Sequence, residues 1–227
     1  MSRNILITGT DTGVGKTVVS AALVQYFSNQ QKIVSYYKPI QTGAIERNGI
    51  LIAEDIEFVN CLTGYKFTTE TNCSYLLRAP MSPWQAAIKE LITIDLDKIK
   101  SDFDKLYRSS DIMITEGSGG LLVPITDKIM MIDMISQLNA EVIVAVRPGL
   151  GTINHSLLTI QTLKNAKIKA LGFLVCGYPS NPDLVEQENP AMIEKFSGLP
   201  FLGFVPWCDS LDNLKQKLFL DLKLNHF

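Results

Sequence analysis

The stretch from Asn4 to Thr17 constrains this chain more than any other. An apolar run, Asn4-Ile-Leu-Ile-Thr8, enters the turn Gly9-Thr10-Asp11-Thr12-Gly13-Val14-Gly15-Lys16-Thr17, and a helical pattern with Val19, Leu23 and Phe27 at fourfold spacing continues from Lys16 to Ser28. Strand, glycine-rich loop and helix in that order build a cradle for a polyphosphate, because backbone N–H groups and a helix N-terminus converge on the anion. Lys16 is expected to reach the β- and γ-phosphates, and Thr17 to set its hydroxyl on Mg2+. Gly13 and Gly15 are expected to admit close backbone approach. The loop is a variant of G-x-x-x-x-G-K-[ST]: the first glycine of that pattern would fall on Thr10, and the chain has Gly9 instead.

Further apolar runs at Ile33 to Tyr37, Asp111 to Thr115, Glu141 to Val146, Ala170 to Cys176 and Phe201 to Val205 alternate with helical patterns, among them Ile153 to Lys164 with Leu157, Ile160 and Leu163. That alternation predicts an α/β fold, a mostly parallel sheet flanked by helices on both faces, of the P-loop NTPase type. With 227 residues, one domain over 1–227 is expected. Thr63 to Pro83, rich in Thr, Asn and Pro, reads as a loop excursion near a site, and Pro182 to Pro190 as a surface connection. A net charge of -2 argues against nucleic acid or an anionic membrane surface as partner, and the short run Ile5 to Ile7 is no membrane span, so a cytoplasmic protein is expected. Cys61, Cys73, Cys176 and Cys208 lack any C-x-x-C spacing, and with only His155 and His226 they predict buried small side chains in place of a zinc site or disulfides.

Three more groups have placements that fit phosphate chemistry. Glu116 ends an apolar run and opens Glu116-Gly117-Ser118-Gly119-Gly120, the place of a Walker B-like acid, with glycines against which a ligand can lie. Lys38, in Tyr37-Lys38-Pro39-Ile40-Gln41-Thr42-Gly43, stands at a strand's carboxyl end, the ligand-binding edge of open α/β sheets, although a solvated lysine fits the same position. Asp55, in Ala53-Glu54-Asp55-Ile56, reads on its own as an acid favoured by a helix N-terminus.

Taken together these motifs resemble the dethiobiotin synthetase family, in order and over most of the chain. The blocks are Gly9-Thr10-Asp11-Thr12-x-Val14-Gly15-Lys16-Thr17, Tyr37-Lys38-Pro39 with Thr42-Gly43, Glu116-Gly117-x-Gly119-Gly120, Leu150-Gly151-Thr152-Ile153-Asn154-His155 and Val205-Pro206-Trp207. The resemblance implies Mg2+- and ATP-dependent closure of a ureido ring on 7,8-diaminononanoate with CO2 (or bicarbonate), through a carbamate and its mixed anhydride with phosphate. It implies Lys16 and Lys38 as catalytic cations, Thr17, Asp55 and Glu116 around the metal, and Thr42 and Lys38 on the substrate. Nucleotide contacts are implied for Thr12, Gly13, Val14, Gly15, Lys16, Thr17 and Val18, for Asp55, Glu116, Gly117, Ser118 and Gly119, and for Cys176, Gly177, Val205, Pro206 and Trp207. The family is homodimeric, which implies that Gly151, Thr152, Ile153 and Asn154 meet the substrate carboxylate across the interface; backbone donors at a helix N-terminus fit that role. His155 reads as structural or interfacial.

Cys176 stands where adenine-reading relatives carry asparagine, and a thiol is a weak partner for a base edge, so relaxed or altered base selectivity is expected with ATP as the default. Two rivals remain. A partitioning-type, nucleotide-switched ATPase of similar fold would carry a signature lysine where this chain has Asp11, and a glutamine-dependent amide synthetase of the cobyrinic acid type would need a second catalytic domain.

Overall fold

The computed structural model describes residues 2–217 and 222–223; His226 lies outside them. In chain order the described elements are β1 (Arg3–Gly9), α1 (Lys16–Asn29), β2 (Val34–Gln41), β3 (Ile45–Arg47), β4 (Ile50–Ile52), α2 (Glu54–Thr63), α3 (Thr69–Asn72), β5 (Cys73–Leu76), α4 (Pro83–Lys89) and α5 (Leu96–Tyr107). They continue with β6 (Ile112–Glu116), α6 (Met131–Gln137), β7 (Glu141–Val146), α7 (Thr152–Asn165), β8 (Ala170–Tyr178), α8 (Leu184–Ser197), β9 (Phe201–Pro206) and α9 (Leu211–Lys217). Seven strands form one parallel sheet in the order β5-β2-β6-β1-β7-β8-β9, and β3 and β4 pair as a separate antiparallel hairpin. Among the described residues no helix is long and apolar enough to cross a membrane.

The central strands are apolar on both faces because both faces are covered. Successive residues alternate between two cores: Ile5, Ile7, Ile112, Ile114, Ile143, Ala145, Leu174 and Cys176 pack with Val19, Leu23 and Phe27 of α1 and Ile56, Val59 and Leu62 of α2. Leu6, Met113, Val142, Val144, Val146, Phe173 and Val175 pack on the other face, against Ile99 and Phe103 of α5, Met134 of α6, Ile160 and Leu163 of α7 and Ile193 of α8. The period-2 alternation fixes the site. Tyr36, Lys38 and Glu116 all project to the face that carries α1, the helix behind the phosphate loop.

Several expectations need correction. Thr63 to Pro83 is not a plain loop: it holds α3 and the edge strand β5. Its polar residues serve as local ties, with the Thr68 hydroxyl capping α3 through the Thr71 N–H at 3.3 Å and the Asn72 side chain donating to the Tyr36 carbonyl at 2.6 Å. A four-residue strand shows no period. The Pro182 to Pro190 region is no connection either. Asp183 and Glu186 form a reciprocal capping box that starts α8, with N···O distances of 2.8 and 3.0 Å, and the helix runs through Pro190 to Ser197.

Strand β2 extends past Tyr37, through Lys38 and Pro39 to Gln41. Pro39 is tolerated because pairing with β6 ends at Tyr37, beyond which the missing N–H leaves no gap in that ladder. Helix α7 buries Thr152, Ser156, Ile160 and Leu163, and Leu157 is only half-buried; the Thr152 and Ser156 hydroxyls lie 3.5 Å apart and satisfy each other inside. Of the cysteines only Cys176 is buried. Cys61 is exposed, because the buried stripe of α2 runs through Ile56, Val59 and Leu62 and passes it by.

Candidate functional site

Two contiguous clefts open at the carboxyl ends of the strands and share Gly13, Gly15, Val18, Phe58 and Leu211. The larger, about 1080 Å³, runs from the phosphate loop past Lys38 to Gln41, Thr42, Pro80 to Pro83 and Ser118. The smaller, about 470 Å³, lies between the loop, Cys176, Gly177 and the Val205 to Ser210 segment.

The loop between β1 and α1 depends on Gly15. Its φ of +100° is a left-handed conformation, and a Cβ there would stand 2.7 Å from the Cβ of Cys176. Gly13, by contrast, has φ +71° with nothing within 4 Å of an added Cβ, so its requirement is conformational and not one of close packing within the protein. Lys16, mostly buried, donates from Nζ to the Asp11 carbonyl at 2.9 Å, folded back along its own loop. Burial, reinforced by the charge on Lys38, pulls its pKa below the usual lysine value against the opposing pull of Glu116.

A charged cluster stands beside the loop. Nζ of Lys38 is 2.6 Å from Oδ2 of Asp55 and 2.8 Å from Oε1 of Glu116. The hydroxyl of Thr17 lies 2.9 Å from Oε1 of Glu116 and 3.2 Å from Oδ1 of Asp55; with one proton it serves one carboxylate at a time. The second oxygen of Glu116 accepts from Ser20 at 2.9 Å and Tyr36 at 2.8 Å. Four donors therefore surround one buried carboxylate. Burial alone would lower Lys38, but Glu116 and Asp55 outweigh it and hold the ammonium above the usual lysine range. For Asp55 burial pushes up and Lys38 prevails, keeping the carboxyl below its usual value. Tyr36 is driven well up by burial and then by Glu116, which fixes it as a hydroxyl donor.

The lysine is thus a buried ion-pair partner, not a solvated strand end, and Asp55, in the first turn of α2, makes no cap bond and turns its side chain to Lys38 and Thr17. Thr12, Gly13, Gly15, Lys16, Thr17, Val18, Asp55, Glu116, Ser118 and Gly119 line the larger cleft with Lys38 and Thr42. Val14, Cys176, Gly177, Val205, Pro206 and Trp207 line the smaller one, where Trp207 is 72% exposed. Gly117 lines neither: it is buried, its N–H bonds to Ile7 at 3.0 Å, and its carbonyl faces Lys38 at 3.5 Å.

Gly151, Thr152, Ile153 and Asn154 also line neither cleft. Gly151 caps α7 with φ +89°, Thr152 is buried, Asn154 and His155 are exposed, and neighbouring Leu150 is 93% exposed. Asn189 of α8 holds this segment by donating to the Pro148 carbonyl at 2.7 Å.

Residues not anticipated complete the site. Tyr36 lies two residues before Lys38 and Ser20 four after Lys16, so strand and helix periodicity would have put both beside the acid. Arg147, just beyond β7, donates to the Thr12 carbonyl at 3.0 Å and reaches Asp11 at 3.3 Å, bracing the loop. Cys176 is buried, its thiol 3.7 Å from the Leu174 carbonyl and pushed up to about 12 by burial, with Lys16 opposing.

Comparison with known proteins adds independent findings. The profile of the AAA domain family matches residues 3–215. The chain is 38% identical over 227 residues to the ATP-dependent dethiobiotin synthetase BioD of Clostridium acetobutylicum, covering 98% of this chain and 92% of that protein. It is 34% identical over 223 residues to the protein of the same name from Thermodesulfovibrio yellowstonii, covering 95% and 93%. It also matches the biotin biosynthesis bifunctional protein BioCD of Bordetella avium, 37% identical over 210 residues, 92% of this chain and 41% of that one. Among solved structures, the septum site-determining protein MinD of Pyrococcus horikoshii, complexed with Mg-ADP, superimposes with a TM-score of 0.58 at 20% identity, covering 96% of this chain and 86% of that one. The cell division ATPase MinD of Pyrococcus furiosus gives 0.57 at 19%, covering 96% and 89%. At that identity the likeness is one of fold alone.

Proposed function

The chain belongs to the dethiobiotin synthetases, ATP-dependent cyclo-ligases of biotin synthesis, and from that premise we propose that it closes the ureido ring of dethiobiotin on 7,8-diaminononanoate. The observation that carries this reading is the cluster of Lys38, Asp55, Glu116 and Thr17 at the edge of the phosphate loop. In the reaction one amine of the substrate takes up CO2 as a carbamate. A carbamate oxygen attacks the γ-phosphorus of ATP and ADP departs; the second amine then attacks the carbonyl carbon, loses its proton and expels phosphate.

The donor set suits Mg2+, a hard cation commonly held by one or two carboxylates and a hydroxyl together with phosphate oxygens. Thr17, Asp55 and Glu116 would hold it, and the ammonium of Lys38 bridging both carboxylates supports a locus built for a cation. Bound there, the metal would neutralise charge on the β- and γ-phosphate oxygens. Lys38 stays an ammonium at working pH, since its pKa is raised, and offers a fixed positive charge to the carbamate and the transferring phosphoryl group. Lys16 exchanges its bond to the Asp11 carbonyl for phosphate oxygens, and Thr42 receives the nitrogen end of the substrate.

In a homodimer, the backbone donors of Gly151 to Asn154 at the start of α7 would address the substrate carboxylate of the partner's site. The smaller cleft takes the nucleoside. With the Cys176 thiol turned to the Leu174 carbonyl, no amide side chain at that position reads the base, and selectivity among nucleoside triphosphates is relaxed.

The test is phosphate release by the purified protein with Mg-ATP, bicarbonate and 7,8-diaminononanoate, with the organic product followed by mass and GTP and CTP run in parallel. Release that requires both co-substrates and yields a product of dethiobiotin's mass supports the reading. Nucleotide binding with no diamine-dependent product would refute the substrate assignment while sparing the phosphate site.

A further inference from the structure

Most buried polar side-chain atoms in this protein have a partner, which makes an exception in the cleft informative. Gln41, the last residue of β2, lines the larger cleft between Lys38 and Thr42 and is only 7% exposed. Its Nε2 donates to the Thr42 carbonyl at 3.0 Å, but its Oε1, sheltered from water, accepts from nothing; it is one of two such buried atoms, with the Thr8 hydroxyl, among the described residues. Exchanging the amide atoms does not help. The carbonyl would then face the Thr42 carbonyl, two acceptors together, and the orphan would become a donor.

A buried acceptor without a donor is destabilising, and its persistence in a cleft has a straightforward account if a ligand brings the donor. Gln41 lines the cleft and the terminal torsion of a glutamine is broad, so rotation of the amide, at the expense of its bond to the Thr42 carbonyl, can bring Oε1 to an N–H presented there. The chemistry of that N–H is narrowed by its surroundings. The cleft offers cations, Lys16 and Lys38, for anionic groups, whereas Gln41 at the end of β2 and Thr42 just after it offer oxygens. An amine, such as either nitrogen of the diamine proposed above, is a ligand group that donates to such oxygens.

We infer that Gln41 is a substrate-binding residue whose side-chain carbonyl accepts an N–H from the substrate amine that closes the ring, orienting that nitrogen beside Lys38. This rests on the diamine reading above and names a contact that reading did not contain. The chain sequence alone gave no signal for it, since a glutamine at a strand end is ordinarily solvated.

The test compares wild type with Q41M, which keeps side-chain length and removes the acceptor, and Q41E, which keeps an acceptor in place. Loss of one hydrogen bond to an amine or ammonium predicts a KM for 7,8-diaminononanoate raised roughly 10- to 100-fold in Q41M, with KM for ATP unchanged. Q41E retains an acceptor but sets its other oxygen against the Thr42 carbonyl, so its diamine KM is expected to lie between those of wild type and Q41M. Ligand-free Q41M loses the orphan acceptor and, with it, the Nε2 bond to the Thr42 carbonyl, so the two effects offset and its melting temperature stays within about 2 °C of wild type, which shows that a raised KM does not come from a damaged fold. A diamine KM unchanged in Q41M, in an enzyme whose wild type makes product, overturns the inference and leaves the reaction standing. Equal loss of diamine affinity in Q41M and Q41E overturns it as well, and if Q41M does not fold, Q41A, which also lacks the acceptor, takes its place with the same expected rise in diamine KM and the same refuting result. A wild type that shows neither diamine-dependent product nor a thermal shift with the diamine overturns both.

Discussion

Replacing Lys38 by methionine removes the one cation between two carboxylates and should expose how the cluster is held together. Nζ stands 2.6 Å from Asp55 and 2.8 Å from Glu116, and the Lys38 and Glu116 side chains are 5% and 1% exposed. At an effective dielectric of about 20, unit charges about 2.7 Å apart attract by roughly 6 kcal/mol before desolvation is subtracted. Asp55, with a side chain 26% exposed, is partly screened and adds less. Removing one partner of a buried pair costs about 3–5 kcal/mol, because the remaining charge is stranded, so K38M should melt roughly 6–20 °C below wild type in metal-free buffer. Millimolar Mg2+ should then stabilise K38M more than wild type, since a cation binding the folded state alone raises stability most where its carboxylates have no other partner. Turnover should stay down by about 10²–10³-fold even with Mg2+, the lysine's charge on the reacting groups being lost. Scanning calorimetry with and without Mg2+ checks this. A melting change under about 2 °C, or identical Mg2+ stabilisation of both proteins, would refute the electrostatic account.

The same cluster sets a pH dependence. Lys38 has a raised pKa in the fold, so its stabilisation is complete below the ordinary lysine value of about 10.5 and is lost as pH rises through the raised value. Asp55 has a depressed one, so its share is complete above the ordinary carboxylate value of about 4 and is lost as pH falls through the depressed value. Wild type should therefore show a stability plateau across neutral pH, whereas K38M, with stranded carboxylates, should gain stability on acidification from about pH 7 to pH 5, measured by urea titration. Gly15→Ala should lose nucleotide binding in calorimetry and also destabilise the fold, since its φ is +100° and the new Cβ would meet Cys176 at 2.7 Å. Alkylation mapped by mass spectrometry should label exposed Cys61 readily while Cys176, buried with its thiol pushed up to about 12, stays unmodified in the folded protein at pH 8.

The phosphate loop and the sheet were legible because their signals are local: a strand, Gly9 to Thr17 and a helix adjoin in sequence, and the central strands are continuous apolar runs. Thr17, Lys38, Asp55 and Glu116 were each visible, but their meeting depends on sheet order. The insertion of β6 between β1 and β2 brings Glu116 to both Thr17 and Lys38, and no spacing in the chain encodes that. The misreadings have physical causes too. Edge strand β5 has four residues and a single neighbouring strand, too short for a period, and Pro190 masked a helix whose start was written in Asp183 and Glu186. Arg147 and Gln41 act through a backbone carbonyl and through a missing donor, neither of which a residue type reveals.

The most direct measurement follows the oxygen of CO2. Reaction of the protein with Mg-ATP, 7,8-diaminononanoate and 18O-labelled CO2, read by mass spectrometry, distinguishes carbamate phosphorylation from simple ATP hydrolysis. If the carbamate oxygen attacks phosphorus, the C–O bond broken at ring closure leaves that labelled oxygen on the released phosphate, and the other remains in the ureido carbonyl of dethiobiotin. Labelled phosphate formed together with dethiobiotin is the predicted result. Phosphate that carries no label, or that is released at the same rate without the diamine, would contradict the account.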